Sequence, residues 1–306
     1  MTTTTTLDTN DLFNKHFTHT VIETRGASIY TVHGGIGKPP LLLLHGYPQT
    51  HAIWHLVATV LVQHYHIICP DLRGYGDSSK PPSSNDHMPY SKRAMAQDMV
   101  EVMQALGHEQ FFVAGHDRGA RVTHRLALDH AERVIKACVM DITPTLHMFN
   151  HTDQAFATGY YHWFFLIQPD GLPETLIGAD PAYYLRKKLN HWSGSQAIFD
   201  PRAVAEYERC FSPSSIHASC EDYRAAATID LEHDRADRDK KVQCPLLALW
   251  GSQGFVHRSY DVLEVWQQYA VHVQGKALDC GHFLPEEKPH EVIEALTQFF
   301  TTEALV

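Results

Sequence analysis

The residues Gly115-His116-Asp117-Arg118-Gly119-Ala120-Arg121 follow an apolar run, Phe111 to Ala114, and precede a stretch with helical periodicity. Small residues at 115, 119 and 120 permit a sharp strand-to-helix turn that lifts the middle side chain above the carboxyl edge of a sheet. That side chain is a carboxylate where ester hydrolases carry serine. A serine that attacked an sp³ carbon would end as an inert ether. A carboxylate forms an ester whose own carbonyl carbon can be hydrolysed to restore the enzyme. Asp117 therefore points to alkyl transfer. Read alone, G-x-D-x-G serves equally as an Asp capping a helix, so its surroundings decide.

Those surroundings supply partners. Leu41 to Leu44 is an apolar strand ending in His45-Gly46-Tyr47, where the backbone N–H of Tyr47 can join that of Arg118 as an oxyanion hole. Asp279-Cys280-Gly281-His282-Phe283 follows the last strand candidate and makes His282 the natural general base. Asp141, 24 residues after Asp117, ends the strand Val134 to Met140 and can orient that imidazole. Its alternative is a turn-starting Asp before Thr143-Pro144. Arg118 and Arg121 stand three apart at a helix N-terminus, on one face and at its positive end, which suits an anionic substrate. Asp71 to Ser78 is a glycine-rich scaffolding loop.

The elements that must position these residues alternate along the chain. Val21–Glu23 and Ser28–His33 read as a hairpin. Strand candidates follow at Leu41–Leu44, Ile67–Cys69, Phe111–Ala114, Val134–Met140, Leu246–Trp250 and Ala277–Leu278. Helical patterns lie at Ile53–Gln63, Ser91–Leu106, Gly119–His130, Ser259–Ala270 and Glu286–Phe300. The alternation predicts an α/β fold, a mainly parallel eight-stranded sheet flanked by helices. About 100 residues separate Met140 from Leu246, too many for a crossover. Aromatics crowd the first half of that interval, so it reads as an inserted helical cap. The predicted divisions are 1–144 and 226–306 for the core and 145–225 for the cap. Asp230 to Lys241 reads as a charged, solvated helix or connector.

Composition narrows the partners. With 25 Lys and Arg against 35 Asp and Glu, the net charge of −10 leaves no cationic field for nucleic acid or anionic lipid. An anionic substrate must be held by local cations against that field. No apolar run approaches the roughly 20 residues of a membrane span. Met1 to Asn10 is threonine-rich without the features of a secretion signal, and the six cysteines form no C-x-x-C pair. The expectation is a cytoplasmic protein with reduced thiols and no membrane partner. Gly34 to Lys38 fails the phosphate-loop pattern, because Val32 and Pro39 stand where glycine and Ser/Thr are needed. His51 and His55, four apart, lack a third ligand, so no metal site is expected.

Taken together, H-G-Y-P-Q-T-H at 45–51, D-L-R-G-Y-G-D-S at 71–78, the elbow, D-I-T-P-T at 141–145, H-W-F-F at 162–165, E-D-Y-R at 221–224 and G-H-F-L-P-E-E-K-P at 281–289 resemble the α/β-hydrolase superfamily. The G-H-D-R-G-A-R elbow resembles the fluoroacetate dehalogenases within it. The resemblance implies an α/β-hydrolase fold and a carboxylate grip by Arg118 and Arg121. It also implies a halide pocket of His162, Trp163 and Tyr223, Trp192 as a pocket wall, and a homodimer. In that superfamily the orienting acid usually follows W-G-x-x after the seventh strand. Trp250-Gly251-Ser252-Gln253-Gly254 has none, which hands the role to Asp141. Tyr47 stands where the family often has Phe, a change that leaves the backbone donor in place.

The expected reaction is hydrolysis of 2-haloacetates to glycolate and halide through an aspartyl ester, with no cofactor. One rival is an epoxide hydrolase using the same Asp–His–Asp set with the cap tyrosines Tyr160, Tyr161, Tyr183 and Tyr184. A neutral epoxide, however, has no use for two arginines. A second rival, a ligand receptor on a retired hydrolase fold, has no reason to keep the complete set.

Overall fold

The apolar runs become eight strands among the described residues of the computed structural model, which are 12, 13, 15–197 and 199–301. The Met1 to Asn10 tract lies outside them. The strands are β1 (Phe17–Glu23), β2 (Ser28–Gly34), β3 (Pro40–Leu44), β4 (His66–Pro70), β5 (Phe111–His116), β6 (Val134–Met140), β7 (Leu246–Gly251) and β8 (Val273–Leu278). They form one sheet in the order β1-β2-β4-β3-β5-β6-β7-β8. β2 pairs antiparallel with both β1 and β4, and every other pairing is parallel. This is the expected α/β-hydrolase sheet. Strands β4 and β5 are buried at every position, so their sequences read as continuous apolar runs.

Most strands run one or two residues beyond the predicted bounds, and the two at the edges start four residues earlier. β1 starts at Phe17 instead of Val21, and β8 at Val273 instead of Ala277. Their added residues, among them Thr18, His19, Gln274 and Lys276, alternate toward solvent on one face, which hides the strand from a search for apolar runs. The pattern at 286–300 also divides, into Leu284–Glu287 and Pro289–Phe300, because Pro289 offers no N–H to continue the first turn.

Between β6 and β7 the chain is helical. Three of the longer helices there, Pro181–Trp192, Pro201–Cys210 and Pro213–Ala227, begin alike: Asp180, Asp200 or Ser212 caps the free N–H groups and proline takes the first helical position. The last of them runs uninterrupted through position 225, where the sequence reading ends the cap. Ile229–Ala236 follows, and here the expected solvated face needs correcting. Asp230 is buried and accepts from the Lys92 backbone N–H at 2.8 Å. The six cysteines are free thiols, five of them buried.

The turn from β5 into the helix Arg118–Asp129 carries the site. Asp117 has φ 49° and ψ −114°, a strained conformation for a residue with a side chain. It is reached only because its neighbours are bare. A Cβ on Gly115 would meet Gly119 O and Thr123 Oγ1 at 2.4 Å, and one on Gly119 would meet His45 O at 2.4 Å and Leu44 O at 2.5 Å. Gly119→Ala is expected to lower stability by about 1–3 kcal/mol, seen as a lower urea midpoint with an unchanged m-value. A midpoint equal to wild type would show that the elbow can widen without cost.

Candidate active site

Asp117 is held from the loop that follows β3. Its Oδ1 accepts the Tyr47 backbone N–H at 2.8 Å, and Gly46 beside it must be glycine because a Cβ there would lie 2.4 Å from Asp117 Cβ. The H-G of the sequence is thus the space into which the elbow fits. The carboxylate side chain is 13% exposed. Burial alone would raise its pKa, but His282, His116, Arg118 and Arg121 together hold it below the usual carboxylate value. Asp117 is therefore ionised although largely removed from water.

His282 Nδ1 lies 2.6 Å from Asp141 Oδ2. A carboxylate only accepts, so Nδ1 carries the proton and the neutral ring turns the Nε2 lone pair toward Asp117. That Nε2 is 3.7 Å from Asp117 Oδ2 and makes no hydrogen bond among the described residues. Two main-chain contacts fix the ring. His282 N donates to Trp192 O at 2.8 Å, and His282 O accepts from His116 Nε2 at 2.7 Å. Burial pushes His116 down to about 3, so it stays neutral as that donor. Asp141 also sits at positive φ, 54°, and its Oδ1 accepts the Gly251 N–H at 3.0 Å. The W-G at the end of β7 thus contributes an amide where the superfamily pattern usually contributes an acid. Burial works to lower the His282 pKa, and the hydrogen bond and charge of Asp141, with the charge of Asp117, overcome it and raise it.

The two arginines are held differently. Arg118 donates from Nε (2.9 Å) and Nη2 (2.7 Å) to the carboxylate of Asp222. That carboxylate also accepts from Lys92 Nζ and from Tyr75 OH at 2.6 Å. Sequence reasoning missed Asp222, Lys92 and Tyr75. Asp222 stood in the E-D-Y-R motif and Tyr75 in the glycine-rich loop, while Lys92 carried no local signal. Asp222 thus engages Nε and Nη2 of Arg118, and Nη1 is left without a partner among the described residues. Arg121 meets Thr143 O at 3.1 Å, Thr145 Oγ1 at 3.0 Å and Met148 Sδ at 3.1 Å, and no carboxylate. Among the described residues its Nε has no partner. Burial and the neighbouring Arg118 push its pKa down to about 10, so it is charged at neutral pH without a bonded counter-ion.

The cap closes the site with aromatic rings. The Arg118 guanidinium lies over Tyr223 at 4.2 Å and that of Arg121 over Trp163 at 4.6 Å. His162 stands 5.6 Å from Tyr223 and 4.6 Å from Trp192, whose ring is 5.6 Å from His282. Asp117, His282, Asp141, Tyr47, Arg118, Arg121, His162, Trp163, Tyr223 and Trp192 thus form one contiguous group. His51 and His55 stay apart from it, His51 Nδ1 at 2.9 Å from Asp71 and His55 Nδ1 at 2.8 Å from Ala52 O. Among the described residues Asp77, Glu206 and Cys210 have metal-ligand spacing, and Arg209 already pairs with both carboxylates.

A family model for the alpha/beta hydrolase fold matches residues 39–289. The chain is 43% identical over 287 residues to a fluoroacetate dehalogenase of Burkholderia sp, covering 93% of this chain and 94% of that protein. It is 35% identical over 288 residues to a soluble epoxide hydrolase of Corynebacterium sp. (strain C12), covering 92% and 97%. A crystal structure from Nostoc sp PCC 7120, described as an alpha/beta hydrolase, superposes with a TM-score of 0.92 at 59% identity, covering 93% of this chain and 98% of that one.

If His282 must accept a proton during turnover, its raised pKa places the acid limb of kcat above the ordinary imidazole value of 6.5, with activity lost as pH falls through it. Asp141→Asn is expected to move that limb to lower pH and to cost about ten-thousand-fold in kcat. An unmoved limb in a folded variant would remove Asp141 from the orienting role.

Proposed function

The chain belongs to the alpha/beta hydrolase fold family, and we propose that within it the protein hydrolyses 2-haloacetates to glycolate and halide ion through an ester on Asp117. The observation that carries this reading is the pair of buried guanidinium groups, 1% and 4% exposed, whose charges act on the ionised Asp117 and whose Arg118 Nη1 and Arg121 Nε have no partner among the described residues. Buried N–H groups cost free energy unless paired. A substrate carboxylate satisfies both, and a neutral epoxide leaves both unmet.

The reaction runs in two halves. With Oδ1 of Asp117 held by the Tyr47 amide, Oδ2 is the oxygen free to attack the α-carbon. The new C–O bond forms as the C–X bond breaks, and the halide leaves with the bonding electrons toward His162, Trp163 and Tyr223. Fluoride holds a compact charge, and one pre-aimed donor is worth about 3–4 kcal/mol at a developing anion. His282 then takes a proton from water through Nε2 as the water oxygen bonds to the carboxyl carbon of Asp117. The 3.7 Å between Nε2 and Oδ2 is longer than a direct hydrogen bond and accommodates that approach. The N–H groups of Tyr47 and Arg118 stabilise the oxyanion. Collapse expels the glycolate oxygen, which recovers the proton from His282, and the Asp117 carboxyl then gives up the second water proton to become a carboxylate again. The net products are glycolate, halide and one proton. The reading carries with it a homodimer, as the family resemblance implies, and a cytoplasmic location.

The relative among soluble epoxide hydrolases keeps the epoxide reading in contention, so the test compares both substrates. Halide release from fluoroacetate, chloroacetate and bromoacetate is expected, with no diol from styrene oxide. The reverse result would assign the site to epoxides. Asp117→Asn should lower halide release at least about ten-thousand-fold. Loss of charge-assisted bonds in Arg121→Gln, about 1.5–3 kcal/mol, should lower kcat/KM by about 10- to 150-fold. One turnover in heavy-oxygen water should put the label in Asp117 and leave the glycolate light. Label appearing first in glycolate would rule out the ester.

A further inference from the structure

Lys188 is a buried ammonium that the mechanism does not use. The residue is 2% exposed, and its Nζ donates to the hydroxyl of Tyr161 at 2.8 Å. Among the described residues it has no carboxylate partner. Aromatic faces make up its other contacts, with the ring of Tyr161 at 4.0 Å and those of Tyr184 and Trp192 at 5.1 Å each. Lysines are almost never fully buried unless paired, and π faces replace only part of the lost hydration. Burial pushes this pKa down to about 7.

Its position gives the charge a use. Lys188 lies one turn before Trp192 on the helix Pro181–Trp192, behind the wall that Trp192 and His162 form at the active site. Two polar atoms near it are buried without partners among the described residues, Trp192 Nε1 and His162 Nδ1, and the Tyr184 hydroxyl meets that of Tyr47. On the other side Tyr161, the hydrogen-bond partner of Lys188, is 44% exposed. A monatomic anion needs one positive charge and a few N–H or O–H edges, and contacts run from His162 through Trp192 to Lys188 and on to Tyr161.

We propose that Lys188, with the polar edges of Tyr184 and Trp192, forms a second halide site through which the departing halide leaves under the cap toward Tyr161. The identity of the anion rests on the dehalogenase reading above. The titratable groups facing Lys188 are the phenols of Tyr161 and Tyr184 and the imidazole of His162. Burial raises the first two and lowers the third, so all three are neutral near pH 7. Arg186, Lys187 and His191 of the same helix are exposed. Lys188 is accordingly the group in this cluster whose charge changes near neutrality, and halide binding at the site weakens roughly tenfold per pH unit above its titration.

Bromide titration followed by tryptophan fluorescence, together with burst and steady-state halide release, tests the site. Wild type is expected to show a bromide component that weakens above neutral pH. Lys188→Met should lose that component and keep the first-turnover burst rate, while steady-state release slows about 3- to 10-fold. Lys188→Arg should keep the component and lose its pH dependence, which guards against a folding defect in the Met variant. A bromide titration in folded Lys188→Met identical to wild type at both pH values overturns the proposal, as does an Arg variant that binds no bromide. If haloacetates release no halide while the Lys188-dependent bromide component persists, the dehalogenase reading fails and the second halide site stands.

Discussion

An ionised carboxylate kept largely out of water is the constraint on which this structure turns. Desolvation opposes the charge on Asp117, so the site must supply positive charge that offsets it. It also has to leave the nucleophile under-coordinated, because every donor on a carboxylate oxygen quenches its attack. Both conditions are met by one arrangement. A single amide holds Oδ1, the imidazole of His282 stands beyond direct bonding from Oδ2, and the compensating charges act from the elbow helix at a distance.

The two arginines solve different halves of that problem. Arg118 is neutralised by Asp222, and the pair does for position what it does not do for net charge. Asp222 draws together the elbow helix, Tyr75 of the glycine-rich loop, Lys92 of the helix Lys92–Ala105 and the helix Pro213–Ala227 that carries Tyr223. Buried ion pairs of this sort are weak evidence for stability, but they fix where a guanidinium points. Arg121 is seated by a carbonyl, a hydroxyl and a sulfur, none of which cancels its charge. The overall charge of −10 therefore does not govern the site. At these distances a local, poorly screened cation outweighs charges spread over a solvated surface.

The cap gives this electrostatic arrangement its selectivity. Tyr223 and Trp163 lie under the two guanidinium groups, so these rings limit how the arginines can swing. The contact from His282 N to Trp192 O joins the loop of His282 to the end of a cap helix, which makes that imidazole and the aromatic wall one mechanical unit. Lys188 extends the same logic outward, a cation with aromatic neighbours in place of a carboxylate.

The sequence by itself determined the chemistry that is local along the chain. The elbow, the H-G turn and the G-H-F loop each need particular residue types within a few positions, because a sharp turn tolerates no Cβ and an N–H must sit at a set distance from the nucleophile. The central strands were equally legible, being apolar on both faces. The edge strands β1 and β8 were read short because one of their faces meets water, and Asp230 was read as solvated because its partner, Lys92, is distant in sequence. Only the tertiary structure decided how the charges are shared: which arginine is spent on Asp222, across 104 residues, which one stays without a bonded counter-ion, and that Lys188 is enclosed by rings. Those outcomes depend on which side chains meet across the cap and core, and burial sets the value of a charge only once the neighbours are known.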